Sequence, residues 1–154
     1  MKAPVLIGVL CLASGNALGR DVGNCDAARP VVERYIALDL QGEGTRASKK
    51  MAQLIDYQDR DTAGWDSFTL TSESRIKDCR ESGGQVVITV VHWVFGSVGA
   101  PERNALARIM ARPVTEEETS LRLNKTPQGW KIDSPTVYVP HVGVDAAKRL
   151  FAGH

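Results

Sequence analysis

Residues 85–96 read Gln-Val-Val-Ile-Thr-Val-Val-His-Trp-Val-Phe-Gly, the longest β-branched and aromatic run in the chain. Gly83-Gly84 precede it and Gly96-Ser97 end it, so turn-forming residues bound it on both sides. Val86, Ile88, Val90, His92 and Val94 alternate with Val87, Thr89, Val91, Trp93 and Phe95. Both sets are largely apolar, as expected of a central strand covered on one side and partly on the other. The other segments read as layers placed against it.

Upstream, Phe68, Leu70, Ser72, Ser74 and Ile76 share one face of a strand over residues 67–79, and 80–84 turn it into the central strand. Downstream, residues 115–125 alternate Glu117, Thr119, Leu121 and Leu123 against polar neighbours, a strand buried on one face towards its end. Thr126-Pro127-Gln128-Gly129 is a hairpin turn, with proline at the first corner and a glycine free to take positive φ. Residues 130–139 return as its partner, interrupted by Pro135, which places that strand at an edge or bulge. Residues 97–114 fit either a short helix using Leu106, Ile109 and Met110 or a loop plus strand.

Two helices precede the strands. Asp26 as cap and Pro30 as first-turn proline predict a helix over 27–41, with Val31, Val32, Tyr35, Ile36, Leu38 and Leu40 on its apolar face. Met51, Leu54 and Ile55 after Ser48 predict a second helix over 47–56, and Asp145 to Phe151 a closing one. Helices followed by hairpin-linked strands make an α+β domain, its helices on one face of a curved antiparallel sheet.

At 154 residues the chain has the length of one domain with a real core. Met1-Lys2, the short apolar run 3–12, and Ala17 and Gly19 at the peptidase-read positions form the pattern of a secretory signal peptide over residues 1–19. The run is too short for a membrane span, which needs ~20 apolar residues. Residues 20–26 read as a loose polar lead-in to a domain over 27–152. Without Lys2 the 19 basic and 18 acidic residues become 18 of each, with no block of like charge. A nucleic-acid partner therefore has no electrostatic footprint. Cys11 leaves with the leader, and the two remaining cysteines, Cys25 and Cys79, predict one disulfide in an exported protein. The loop it closes, about 55 residues, corresponds to roughly 4 kcal/mol of chain entropy.

Several features together suggest a family. The Tyr35-Ile36-Ala37-Leu38-Asp39 helix, the long strand ending Trp93-Val94-Phe95-Gly96 and the Leu121-Arg122-Leu123…Gly129-Trp130-Lys131-Ile132 hairpin resemble the NTF2-like superfamily of cone-shaped, SnoaL-type α+β domains. The likeness spans about residues 27–140 and suggests an exported bacterial member. It implies a pocket between the first helix and the sheet, and a homodimer as in many members. Enzymatic members carry an Asp, His or Tyr in the cone; no such motif is matched here residue by residue.

The candidate pocket is Tyr35, Arg75, His92 and Trp93, with His92 as acid, base or ligand anchor. The plainer reading, and the one a histidine in an apolar strand favours, is a core or sheet-surface residue hydrogen-bonded to a neighbour. Asp56, Asp59, Asp61 and Asp66 suggest a calcium loop, but with Asp59 first and Gly64 sixth, the fifth and twelfth places fall on Ala63 and Leu70, so the motif fails. No nucleophile signature, phosphate loop, dinucleotide fingerprint or zinc spacing is present, and no metal or cofactor is expected. The leading expectation is a periplasmic or secreted, non-catalytic module that binds a small apolar ligand or an envelope protein. The alternatives are a small isomerase or dehydratase using His92 as proton carrier, and an inhibitor or protective protein that recognises another exported protein through its sheet edge.

Overall fold

The computed structural model describes residues 23–46, 48–56, 67–99, 104–135 and 139–152. Residues 1–19, the expected signal peptide, and residues 57–66 of the expected acidic loop, Trp65 among them, lie outside the described residues. In chain order the elements are α1 (Asn24–Leu40), a 3-10 turn (Glu43–Thr45), α2 (Lys49–Ala52), β1 (Phe68–Ser82), β2 (Gln85–Val98), α3 (Ala105–Met110), β3 (Thr115–Thr126), β4 (Gly129–Ser134), β5 (His141–Gly143) and α4 (Val144–Ala152). The sheet order is β4-β3-β2-β1-β5, which puts β2 at its centre. The fold is α+β, with helices against a strongly curled half-barrel.

The sheet is mixed rather than wholly antiparallel. β5 pairs parallel to β1, through Thr69 with His141 and Leu70 with Val142. The expected return strand over 130–139 stops at Ser134, before Pro135, which cannot donate to a ladder. Beyond residues 136–138 the chain lies at the opposite edge of the sheet, alongside β1, as β5. The up-down alternation of β1 to β4 continues into β5, so the fifth strand runs in the direction of the first and pairs with it in parallel.

Local chemistry explains the hairpins. Gly83 and Gly84 form the β1–β2 turn with φ of 59° and 80°, the two consecutive positive values that suit the twist of a two-residue loop. At the β3–β4 turn, Thr126 Oγ1 donates to the Gly129 carbonyl and accepts from the Gln128 N–H.

The β1–β2 ladder has three register shifts. One skips Lys77 between Ile76 and Asp78, and the other two bulges change which side chains β1 and β2 present to each face near the far end of the hairpin. Thr71 pairs with Val94 and Leu70 with Gly96, so Phe95 is skipped; Glu73 pairs with Trp93, so Ser72 is skipped. Gly96, next to the first bulge, has φ 135°. On the near side of the bulges, Val86, Ile88 and Val90 join Leu121, Leu123 and Ile132 beneath Ala28, Val32, Tyr35 and Leu38 of α1. Beyond them, Phe68, Leu70 and Val98 belong to a separate cluster with Ile109 of α3, Val142, and Ala146 and Ala147 of α4.

α1 begins at Asn24, earlier than the sequence suggests, and Pro30 lies inside the helix. Pro30 removes one helical hydrogen bond, so the turn before it needs outside support. That support comes from β1. Cys25 is disulfide-bonded to Cys79 with Cα atoms 6.0 Å apart, Asn24 Nδ2 donates to Glu81 Oε2 at 2.8 Å, and the Cys25 N–H donates to Glu81 Oε1. The expected loose segment 20–26 is thus helical from residue 24.

α2 is one turn rather than ten residues. Ser48 caps it by accepting from the Met51 N–H, but Leu54 and Asp56 then hydrogen-bond to both sides of Ile132 on β4. A backbone pairing with the sheet edge takes over from the helix after Ala52. Residues 105–110 take the helical of the two readings open to them.

Candidate functional site

Residues paired across antiparallel strands project to the same face. Ser74, His92 and Glu117 form one such row across β1, β2 and β3, on the face that α1 covers further along. Beyond the bulges, Thr69 pairs with both Ser97 and His141. The face that is apolar from Val86 to Val90 becomes polar at this end of the curl.

A cleft of about 410 Å³ opens there, lined by Ser67, Thr69, Ser97, Glu117, Thr119, Pro135, Val139 and His141. Its volume is at the small end of ligand pockets. Pro135 and Val139 come from the described ends of the crossover, and the other six from the sheet or its immediate approach.

Behind the cleft, the rings of His92 and His141 stack with centroids 3.8 Å apart and planes 16° from parallel. Both are buried, at 2% and 6% exposure. Burial, with a smaller contribution from His141, pushes His92 down to about 3. Burial pushes His141 down to about 4, against the opposing effect of a hydrogen bond to the Val139 backbone. Both imidazoles are neutral at pH 7.

His92 Nδ1 lies 2.8 Å from Ser74 Oγ, while its Nε2 is buried without a hydrogen-bond partner. Protonation at Nδ1 leaves only a lone pair unsatisfied at Nε2, which costs less than an orphaned N–H. That tautomer makes His92 the donor to Ser74. A ring with a pKa near 3 is a weak base, so the Ser74–His92 contact lacks the activation a serine nucleophile needs.

Asp39, at 1% exposure, anchors the other ring's strand. Its Oδ2 accepts the His141 backbone N–H at 2.9 Å, tying the end of α1 to β5. The 3.9 Å between His141 Nδ1 and the same oxygen is too long for a hydrogen bond. Since burial keeps the ring neutral, that approach is not an ion pair. Gly44 makes room for the carboxylate, because a Cβ there would fall 2.3 Å from Asp39 Oδ1.

The four residues of the candidate pocket are not brought to one surface. Tyr35 and His92 are buried on the α1 side of the sheet. Arg75 lies on the opposite, exposed face, its guanidinium 5.4 Å from the Trp93 ring centroid and its Nε bonded to Glu73. Strand parity explains the split, since Glu73 pairs with Trp93 and Arg75 with Val91, one step out of phase with Ser74 and His92. His92 itself does not line the cleft; its stacked partner His141 does.

The sequence does not single out Asp39, Glu117 or His141 as site residues. Glu117 carried the best available signal, an acidic residue on the face that otherwise reads Thr119, Leu121, Leu123. His141 had only a short Val-Pro-His-Val context, which says nothing of a parallel pairing to β1.

Among the described residues no three His, Cys, Asp or Glu side chains converge as a metal site requires, and no helix is long and apolar enough to cross a membrane. No protein-family model matches the chain, and no curated protein or solved structure matches it.

Proposed function

We propose that this chain is an exported domain of the NTF2-like type that binds a small molecule at the open end of its curled sheet without transforming it. The observation that carries this reading is the convergence of Ser67, Thr69, Ser97, Glu117, Thr119 and His141 on one cleft held by ordered strands. Concave sites with a few converging polar groups are the usual form of small-molecule sites. The Cys25–Cys79 disulfide and the leader-like residues 1–19 support an address in the periplasm or outside the cell. The α+β order and the curled sheet support the NTF2-like assignment at the level of shape.

The polar lining favours a ligand with hydrogen-bonding groups over the small apolar one suggested by β2. The isomerase or dehydratase reading is weakened because its proton carrier, His92, sits behind the cleft with a strongly depressed pKa. Recognition of another protein by strand addition is disfavoured too. The outer edge of β4 is engaged at Ile132 by Leu54 and Asp56, and β5 offers three residues.

A native mass spectrum of protein purified from its own host tests the reading. The expected result is a chain beginning at Arg20, two hydrogens lighter than the reduced form, with a small molecule bound one-to-one and lost in Ser97→Trp. An empty wild-type protein, or a ligand retained unchanged by Ser97→Trp, counts against the cleft as its site.

A further inference from the structure

We infer that the cleft selects a small organic ammonium compound bearing hydroxyl groups. This inference rests on the binding reading above and adds the charge and class of the ligand. Among the described residues lining the cleft, Glu117 is the one formal charge at neutral pH. No Lys or Arg is among those described residues, so an anionic ligand would meet the carboxylate without a compensating cation from them.

Glu117 is also unengaged. Glu118 is paired with Lys77, Glu73 with Arg75, Glu43 with Arg46, and Asp133 with Arg122, whereas Glu117 makes no hydrogen bond or ion pair with the described residues. Its neighbours Glu116 and Glu118 pair with Trp93 and Val91, so they stand on the other face and Glu117 alone faces the cleft. An ammonium group supplies several N–H donors and a positive charge, which the carboxylate and the hydroxyls of Ser67, Thr69, Ser97 and Thr119 can accept. The same hydroxyls can donate as well as accept, so they also suit hydroxyl groups on the ligand. Pro135 and Val139 give its carbon frame an apolar contact.

Three probes of equal length separate charge from shape: 4-amino-1-butanol, 1,4-butanediol and 4-hydroxybutanoate. Each is titrated into the full protein at pH 7, with backbone amide chemical shifts recorded by NMR. The expected result is binding of the aminoalcohol at least about tenfold tighter than either counterpart, the size of one hydrogen bond to a charged group. The shifts should fall at Thr69, Ser97, Thr119 and His141. Glu117→Gln, a near-isosteric change at an exposed position, should erase the preference. Glu116→Gln removes the same charge from the other face and should leave it intact.

Equal binding of all three probes at those residues would overturn the ammonium assignment and leave the binding reading standing. Equal loss of the preference in both variants would trace it to overall charge and also overturn the assignment. Absence of binding by every probe overturns it as well, while the ligand retained in the native spectrum decides the broader reading separately.

Discussion

Lowering the pH from 7.5 to 5 should destabilise this protein through the His92–His141 stack. The sign follows from where each ring binds a proton. Unfolded, both have the ordinary value of 6.5; folded, they are near 3 and 4. Between those values the unfolded chain takes up protons that the folded chain excludes, so stability falls as pH falls. The contribution is fully present above pH 6.5 and is lost progressively as pH drops towards 4. At pH 5 each imidazole costs the folded state about 2 kcal/mol, and the pair about 4 kcal/mol. That is a large part of the ~5–15 kcal/mol available to a domain of ordinary stability. Carboxylates contribute little over this range, because most titrate below it. Urea denaturation at half-unit steps, with a common m-value, reads the curve. A His92→Leu, His141→Leu double variant should have a nearly flat profile from pH 7.5 to 5, whatever its absolute stability. NMR titration of the folded protein should show neither ring protonating above pH 5. Ring pKa values near 6.5, or a wild-type stability flat to pH 5, would refute the reasoning.

Three further outcomes follow from the same structure. Cys25→Ala with Cys79→Ala should cost roughly 4 kcal/mol by the chain-entropy model, and hydrogen exchange should quicken first in α1 before Pro30; a loss under 1 kcal/mol would deny the bridge a stabilising role. Gly143→Ala places a Cβ 2.9 Å from the Leu40 backbone oxygen, so β5 and the end of α1 must separate; a thermal melt should show about 1–3 kcal/mol lost. Asp39→Leu removes the acceptor of the buried His141 N–H and should cost about 1–3 kcal/mol by urea denaturation, whereas Asp39→Asn keeps an acceptor and should cost less.

The parts of the fold legible in the sequence were those fixed by local pattern. The run at 85–96, the paired glycines before it and the Thr-Pro-Gln-Gly turn set the central strand and two hairpins, and the cysteine count gave the bridge. What escaped was set by contacts between distant segments. The early start of α1 depends on Glu81 and Cys79, and the shortening of α2 depends on Ile132, which no local propensity encodes. The parallel pairing of β5 follows a crossover after Pro135, and short three-residue strands carry almost no periodic signal. The candidate pocket is a different case. Simple alternation along β2 already places His92 and Trp93 on opposite faces, and the pairing of Arg75 with Val91 puts that arginine on the face away from His92.

The skipped residues in the β1–β2 ladder explain why a strand that reads apolar on both faces can still border a polar cleft. With continuous pairing, the face carrying Val86, Ile88 and Val90 would run on through Val94 to Gly96 and Val98, and the helix layer would close over it. Skipping Phe95 on β2 and Ser72 on β1 changes the phase of each strand by one residue. One-residue slips exchange the two faces of a strand. Val98 and Leu70 are thereby turned to α3 and α4, and Ser97 and Thr69 take their place on the side of His92 and Glu117. Gly96, already in a conformation that L side chains rarely adopt, marks the point of exchange. The bulges thus keep the apolar residues buried in a second core while a polar surface opens at the rim, so the cleft is a consequence of strand register more than of any single side chain.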